Sequence, residues 1–576
     1  MQKLFLIVLM LIPHLIIAQS DLNVTGRVSL RTTNTEYDEH SEIKPDSIAD
    51  REYGKTMLIP GLQQNLNLAL FARTQKMDLT LLGDIRNDDW NQMQLSDFRT
   101  INRLTLSARF GSNEIVIGDF FEAGSEYFIQ SREIRGAKID LKFDNIWNSK
   151  SYLHTKSTGG IVQKAFDQGS RLLSLYKQYE TSGQYRRYFA SSEIELGEYD
   201  RYSLGVSYLY SKDDESSIDE SINDPLANQT LGVHSSVYLW GNHLKVFGEG
   251  YLSHKDTLTA SGSDDNAYKA GFDLRMNRLK FIAYYHRIGY DYYTAGYPFL
   301  LNDLQGAKLI GAYRVSEQLT LGFEAEQYDN NLNDYADIPT TTTKTGDLEF
   351  TTNVEGWPEL SIRYGIRDDN SNTITLEDTL KIKTSKISRK WEGRITHKFA
   401  VNRLSLSATW IDLDDGSLLA AGAPLGTEQF VSTFNFYTRP SNSLFVSAGA
   451  VYSRLLMSNA QDNRNIYFYE SSRWDILPQK LKFESTLSYI YNDAANGGVQ
   501  DYLSDYDQIG LELSLEYFFT SGLSLKIIAG TDQRDMKYTT EEALSVIADP
   551  DYGPTYFNVN ESYNAMIYGA EINWIF

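Results

Sequence analysis

Ser562–Phe576 reads SYNAMIYGAEINWIF. Counting back by two from Phe576 gives Trp574, Ile572, Ala570, Tyr568 and Met566, an apolar or aromatic set. Between them lie Ile575, Asn573, Glu571, Gly569 and Ile567. Side chains two apart share one face of a strand, so this stretch predicts a strand with one greasy side and aromatics at its edge. Such a strand suits the lipid-facing wall of a β-barrel. Tyr568, Ile572, Trp574 and Phe576 are the expected signal to a barrel-assembly machinery.

The same period recurs through the chain. Tyr202, Leu204, Val206, Tyr208 and Tyr210 alternate with Ser203, Gly205, Ser207 and Leu209. Leu404, Leu406, Ala408 and Trp410 alternate with Arg403, Ser405, Ser407 and Thr409. Gly510–Phe519 and Leu523–Thr531 repeat the pattern. No helical period persists beyond about two turns. Connections alternate in length as well. Gly111–Asn113, Trp240–Asn242, Met276–Asn277, Gly356–Pro358, Arg439–Ser441, Ile476–Pro478 and Ser521–Gly522 are short. Thr32–Gly61, Ser211–Asn228, Ile288–Gln305, Gln327–Thr345, Asp368–Ser385, Asp412–Thr427, Asn492–Asp505 and Arg534–Glu561 are long. A soluble sandwich has no reason for this asymmetry. A transmembrane β-barrel has short turns on the periplasmic side and long loops outside. The expectation is an all-β, single-chain antiparallel transmembrane barrel of about 26 strands, range 24–28, over residues 19–576, with both termini periplasmic. The pairing between Asp144 and Gly183 is the least legible part.

Composition agrees. The 576 residues hold 54 Lys+Arg against 76 Asp+Glu, for a formal charge of −22, and no Cys. A disulfide framework, a thiolate metal site and a Cys nucleophile are excluded. The acidic balance argues against nucleic acid as a partner. Met1–Ala18, MQKLFLIVLMLIPHLIIA, reads as a secretory signal peptide cleaved near Ala18, because its apolar stretch is too short to span a bilayer. Removing Lys3 takes the formal charge from −22 to −23. The expected location is the outer membrane.

Size then constrains function. Barrels of 16–18 strands already leave an aqueous channel, and wider ones carry a plug. No plug precedes this barrel, so inward-folded loops or a plug or periplasmic partner should close the lumen. Two segments break the monotony. In Ile117–Lys138, a strand ending at Gly118, Asp119 and Phe120 is expected to return at Arg135 and Gly136, with Asp119 paired to Arg132 or Arg135. Arg287–Asp303, RIGYDYYTAGYPFLLND, packs Arg287, Tyr290, Tyr292, Tyr293 and Tyr297 into an outer loop, where so dense an aromatic set should fold inward or meet a partner. These residues form the candidate gating segment.

Other chemistry is weaker. The eight His are scattered, and no HExxH or GxSxG occurs. His234 and Ser235 are adjacent on a strand and point to opposite faces. Asp412, Asp414, Asp415 and Gly416 depart from calcium-loop spacing, with Glu428 misplaced as the closing ligand. Glu512, Glu516 and Lys526 on polar faces suit lumen networks. No catalytic residue, cofactor or metal is expected.

The Gly118-Asp119-Phe120 and Arg135-Gly136 elements and the Arg287–Asp303 stretch resemble segments of large, plug-less outer-membrane barrels of Bacteroidota and allied phyla, and the Ala18-Gln19 junction suits that group. The Gly-Asp and Arg-Gly pairing also resembles, in part, the giant translocon barrel of type IX secretion, a far longer chain. The resemblance implies architecture and location and carries over no catalytic residue. The functional expectation is a wide, loop- or partner-gated pore for transport or export. The alternatives are a porin with weak cation preference and a non-conducting structural or surface-binding barrel.

Overall fold

A computed structural model describes residues 23–41, 61–88, 94–95, 103–167, 171–174, 177–180, 183–219, 223–257, 262–376, 380–418, 426–457, 462–495, 506–536, 548–549, 553–554 and 561–576. The leader lies outside these residues. So do most of the Asn492–Asp505 and Arg534–Glu561 connections.

The dominant element is a 26-stranded sheet in which sequence neighbours pair antiparallel. It closes on itself. The first strand, Asn23–Ser41, pairs with the last, Glu561–Ile575, from Arg27↔Ile575 to Ser41↔Glu561. Phe576 seals the seam, its N–H donating to Gly26 and its carbonyl accepting from the Gly26 N–H. Closure leaves no exposed sheet edge. The only helical turn among the described residues is Glu215–Ser217, and no helix is long and apolar enough to cross a membrane.

The wall is inverted relative to a soluble protein. Leu204, Val206, Tyr208 and Tyr210 are exposed, while Gly205, Ser207 and Leu209 between them, and Ser211 and Asp213 beyond, are buried. A continuous exposed apolar face needs a non-aqueous environment, and the buried inner face carries the polar groups. Trp147, Trp240 and Trp357 lie exposed in the turns, and exposed Trp474 and Trp574 end descending strands on that same side. This is an interfacial aromatic belt.

The shortest turns, such as Gly111–Ser112 and Ala400–Val401, share one end. The parity runs unbroken through the region that periodicity left unclear, where Ser151–Gln163 joins Arg132–Asp144 to Arg186–Glu198. Three expectations need correction. The first strand extends to Ser41 rather than Arg31, because Asn34–Ser41 finds a partner in Glu561–Tyr568. Asp412–Asp415 belongs to the strand Asn402–Asp415 rather than to a loop; Asp412 bonds Arg389 at 3.1 Å and Asp415 meets Lys386 at 3.4 Å. The long-loop rule fails at two outer connections, Thr257 to Ser263 and Met457 to Asp462.

Inward-facing charges form networks. Lys482 lies 2.7 Å from Glu484 and 3.1 Å from Glu516, and Lys526 lies 2.8 Å from Glu484. Glu512 takes no part in that network and lies 4.0 Å from Arg31.

Candidate functional site: two outer segments packed inside the barrel

The segments Ile117–Lys138 and Arg287–Asp303 meet. Tyr127, Phe128 and Ile129 from the first and Tyr292 and Ala295 from the second form one buried apolar cluster. Its other members, Ile134, Phe189, Leu209, Tyr251, Ala267 and Ile288, project from the inner wall. Phe128 stacks on Tyr251 with centroids 5.8 Å apart. Among the described residues few other apolar side chains are buried, so the cluster is a local core.

A row of glycines lets the first segment leave the wall. Gly118 pairs with Gly136, and Gly136 with Gly160, across three adjacent strands. Gly118 has φ +113°, and a Cβ there would lie 1.9 Å from the Leu104 carbonyl oxygen. A Cβ on Gly136 would lie 1.9 Å from that of Gly159. Only glycine permits such approach. The ladder between Arg103–Phe110 and Asn113–Glu122 stops at Thr105↔Gly118. Beyond it, the Asp119 carboxylate accepts from the freed Leu104 N–H at 2.9 Å and pairs with Arg135 Nε at 2.6 Å.

This placement corrects the sequence reading. Gly118–Asp119 and Arg135–Gly136 face each other within a hairpin whose strands run to Glu122 and from Arg132. They bend it rather than close it. Asp119 pairs with Arg135. Arg132 is buried, and its guanidinium donates to the Val162 carbonyl at 3.2 Å. Phe120 packs against the apolar cluster.

The hairpin tip reaches the middle of the lumen. Glu126 bonds Lys269 at 2.8 Å, and Lys269 also holds Glu249 at 3.0 Å. Lys269 and Glu249 lie midway along Ser263–Arg275 and Leu244–Thr257. Tyr127 Oη lies 3.5 Å from His286 Nδ1.

The second segment latches onto the first and onto the wall. Tyr292 Oη donates to the Tyr127 carbonyl, and Thr294 Oγ1 to that of Phe128 at 2.8 Å. The Gln130 N–H donates to Gly296 at 3.2 Å. Burial pushes the Tyr127 and Tyr292 hydroxyls above their ordinary range, Tyr127 also through Glu126, so both remain neutral donors. From the wall, Asn228 Nδ2 donates to the Tyr293 carbonyl at 3.0 Å, and Asn228 Oδ1 accepts from the Ala295 N–H at 3.0 Å. Ser253 Oγ donates to the same Tyr293 carbonyl. Arg187, held bidentately by Asp213 at 2.6 and 2.8 Å, donates to Tyr293 Oη at 3.0 Å.

Tyr290 packs edge-on against Tyr335 of the next outer connection, with centroids 5.0 Å apart. Tyr297 closes a backbone turn on Thr294. Arg287 alternates with buried His286 and Ile288 on the outward side of its strand, apart from the assembly. Sequence reasoning missed Asn228, Ser253, Arg187, Asp213 and Lys269. Each is an ordinary polar inward residue, and nothing local marks which inward residues a loop will find.

Asn228 supplies the densest latch. Replacing it with Ala orphans the buried Ala295 N–H. The opening equilibrium of Tyr292–Gly296 is expected to rise roughly 5- to 150-fold, corresponding to about 1–3 kcal/mol for a buried unsatisfied group. Amide hydrogen exchange in that stretch reads the change. Exchange as slow as wild type would show that Asn228 is dispensable.

His234 faces inward and meets Glu195 at 3.1 Å, while Ser235 lies exposed on the opposite face. Among the described residues no group of three His, Cys, Asp or Glu is placed to hold a metal ion.

No protein-family model matches the chain, and no curated protein matches it. Solved structures similar to it are outer-membrane proteins. The siderophore receptor PirA from Pseudomonas aeruginosa is 10% identical, with 95% of this chain and 80% of that chain covered and a TM-score of 0.39. The copper transporter OprC is 10% identical, with 96% and 80% covered and a TM-score of 0.42. OmpT, an outer membrane protein of Vibrio cholerae, is 11% identical in its loop L8 deletion form, with 67% and 99% covered and a TM-score of 0.25. At these identities and scores the cargo of those proteins remains theirs alone.

Proposed function

We propose that this chain is an outer-membrane pore for transport or export, with a wide lumen narrowed from within by its own outer segments. One observation carries the reading: Glu126, from an outer connection, sits on Lys269 at mid-height of the barrel. A purely structural barrel has no need to fold two apolar loops into its lumen. The polar inner wall gives solutes a wet path, while the Tyr127–Tyr292 cluster forms a shelf that blocks part of it. In this reading the exported chain, its leader cleaved near Ala18, enters the membrane through its C-terminal strand. A separate plug or periplasmic partner completes closure where the shelf does not reach.

Planar-bilayer recording of the purified full chain tests this. The expected record shows discrete transitions between a small and a large conductance as the shelf moves. A steady conductance without transitions supports the porin reading, for which the paired inner charges predict only weak cation preference. Silence in the bilayer, with a partner recovered by pull-down, supports a non-conducting surface barrel.

A further inference from the structure

The outer wall carries one group that the pore does not use. On the strand Asp462–Leu477, the outward positions run Ile466, Phe468, Glu470, Ser472, Trp474 and Ile476. Ile466, Phe468, Trp474 and Ile476 are exposed apolar residues. Arg464 and Asp462 mark the outer rim above them, and the turn at Pro478 lies below. The stripe from Ile466 to Ile476 spans about 23 Å for a strand tilted near 45°, close to the height of a barrel's apolar band. Glu470 therefore sits near the bilayer midplane. Among the described residues it has no hydrogen-bond or ion-pair partner.

An ionisable group at that depth is costly, and such groups ordinarily find a partner. The surroundings are shaped for one. Ala448 lies opposite Glu470 on one side and Leu487 on the other. Ala448, Ala450, Ser432, Ser472 and Ser485 are small and share the outward face with the larger Phe434, Phe436 and Leu487. Small residues let another wall approach closely. Ser472 Oγ and Ser485 Oγ lie 2.7 Å apart. The two hydroxyls carry two protons and use one between them, so one remains to donate outward.

We infer that this face is a contact between two copies of the chain within the membrane. The occupant follows from the chemistry of the patch. It holds an acceptor carboxylate and a donor hydroxyl two residues apart on one strand. A two-fold axis through the patch presents each copy's Glu470 to the other's Ser472–Ser485 pair. A self-complementary patch is what a two-fold interface requires. The inference uses only the membrane-facing wall and is independent of the loop assembly.

The chain has no cysteine, so a single introduced thiol reports the contact. Ser485→Cys, with Ser432→Cys as a second position, is oxidised in native membranes. Leu309→Cys, exposed on a distant part of the wall, is the control. The expected result is a disulfide-linked dimer from Ser485→Cys or Ser432→Cys at about ten times the control yield, falling about tenfold when Glu470→Leu is added, as for loss of a buried hydrogen-bonded contact. Glu470→Leu should leave heat-modifiable migration intact, since it only removes a charge from the apolar band. No dimer from either thiol overturns the inference. A dimer insensitive to Glu470→Leu, or crosslinking mainly to a different protein, also overturns it.

Discussion

Excision of Tyr290–Asn302, with an Asn-Gly turn in its place, is expected to convert the small conductance to the large one permanently. The ends of the excised stretch already meet: Asp303 N–H donates to the Gly289 carbonyl at 3.1 Å, and Ile288 pairs with Leu304. The wall ladder therefore survives. What disappears is the loop's share of the shelf core, namely Tyr292, Ala295 and the Thr294 bond to Phe128. Tyr127, Phe128 and Ile129 then face water on the side the loop had covered. Each loses the part of its burial that the loop supplied, out of about 1.5–3 kcal/mol for a fully buried side chain; the Phe128 stack on Tyr251 and the Glu126–Lys269 contact remain to hold the hairpin down. A surface-type ion pair contributes about 0–1 kcal/mol, and a one-sided contact with the wall leaves Tyr127, Phe128 and Ile129 half in water, so the inward position loses most of its advantage. The remaining hairpin should thus leave the lumen as well. Conductance should rise roughly severalfold as the cross-section opens. Unchanged conductance in a correctly folded variant would place the shelf outside the permeation path and end the gating proposal.

Much of this architecture is legible in the sequence because barrel physics acts locally. Alternation follows from one wall touching lipid and the other water, so Leu204–Tyr210 and Met566–Phe576 declare their faces residue by residue. Turn chemistry marks most short connections as well, but Arg439–Ser441, expected as a turn, belongs to the strand Thr427–Ser441, and the turn falls at Asn442–Ser443, because Ser441 still pairs with Leu444. The strand extension to Ser41 is not legible: Asn34, Glu36 and Asp38 are polar on the outward side, and beyond Thr35, where the pairing with Gly61–Arg73 stops, the last strand alone holds the chain extended. The same holds for Asp412–Asp415, where acidity suggests a loop and Arg389 and Lys386 support a strand.

The candidate site divides in the same way. Its aromatic loop stands out because so dense an aromatic set is costly in water, and Tyr292 and Tyr293 do turn inward, although Phe299 and Leu301 stay exposed. Its glycines stand out as well, but their meaning does not. Gly118 and Gly136 suggest a turn, and they become a bend only through the Gly118–Gly136–Gly160 register, a relation between three strands. Asn228 and Ser253 give no signal, since a latch is defined by what it touches.

That register makes the second large effect predictable. Gly118→Val places a β-branched residue at φ +113°, outside its allowed backbone regions, with its Cβ 1.9 Å from a backbone oxygen. Strain alone costs about 1–3 kcal/mol, and the clash with Leu104 cannot relax while the hairpin stays bent. Two controls separate these contributions. Gly241→Val, at φ +61° in an open turn with nothing within 4 Å, incurs strain without a clash and should cost only the strain. Gly248→Ala, with the nearest atom 3.9 Å away and no unusual φ, should be neutral or stabilise by about 0.4–1 kcal/mol through the unfolded chain. For Gly118→Val the cheapest relief is local. The hairpin straightens, Asn113–Glu122 resumes its ladder with Arg103–Phe110 beyond Thr105, and Tyr127–Gln130 withdraws from the lumen. The expected protein is still a heat-modifiable barrel, with fast amide exchange at Ile129 and the high conductance of the excised form. Low conductance with slow exchange at Ile129 would mean that the bend has another cause than the glycine row.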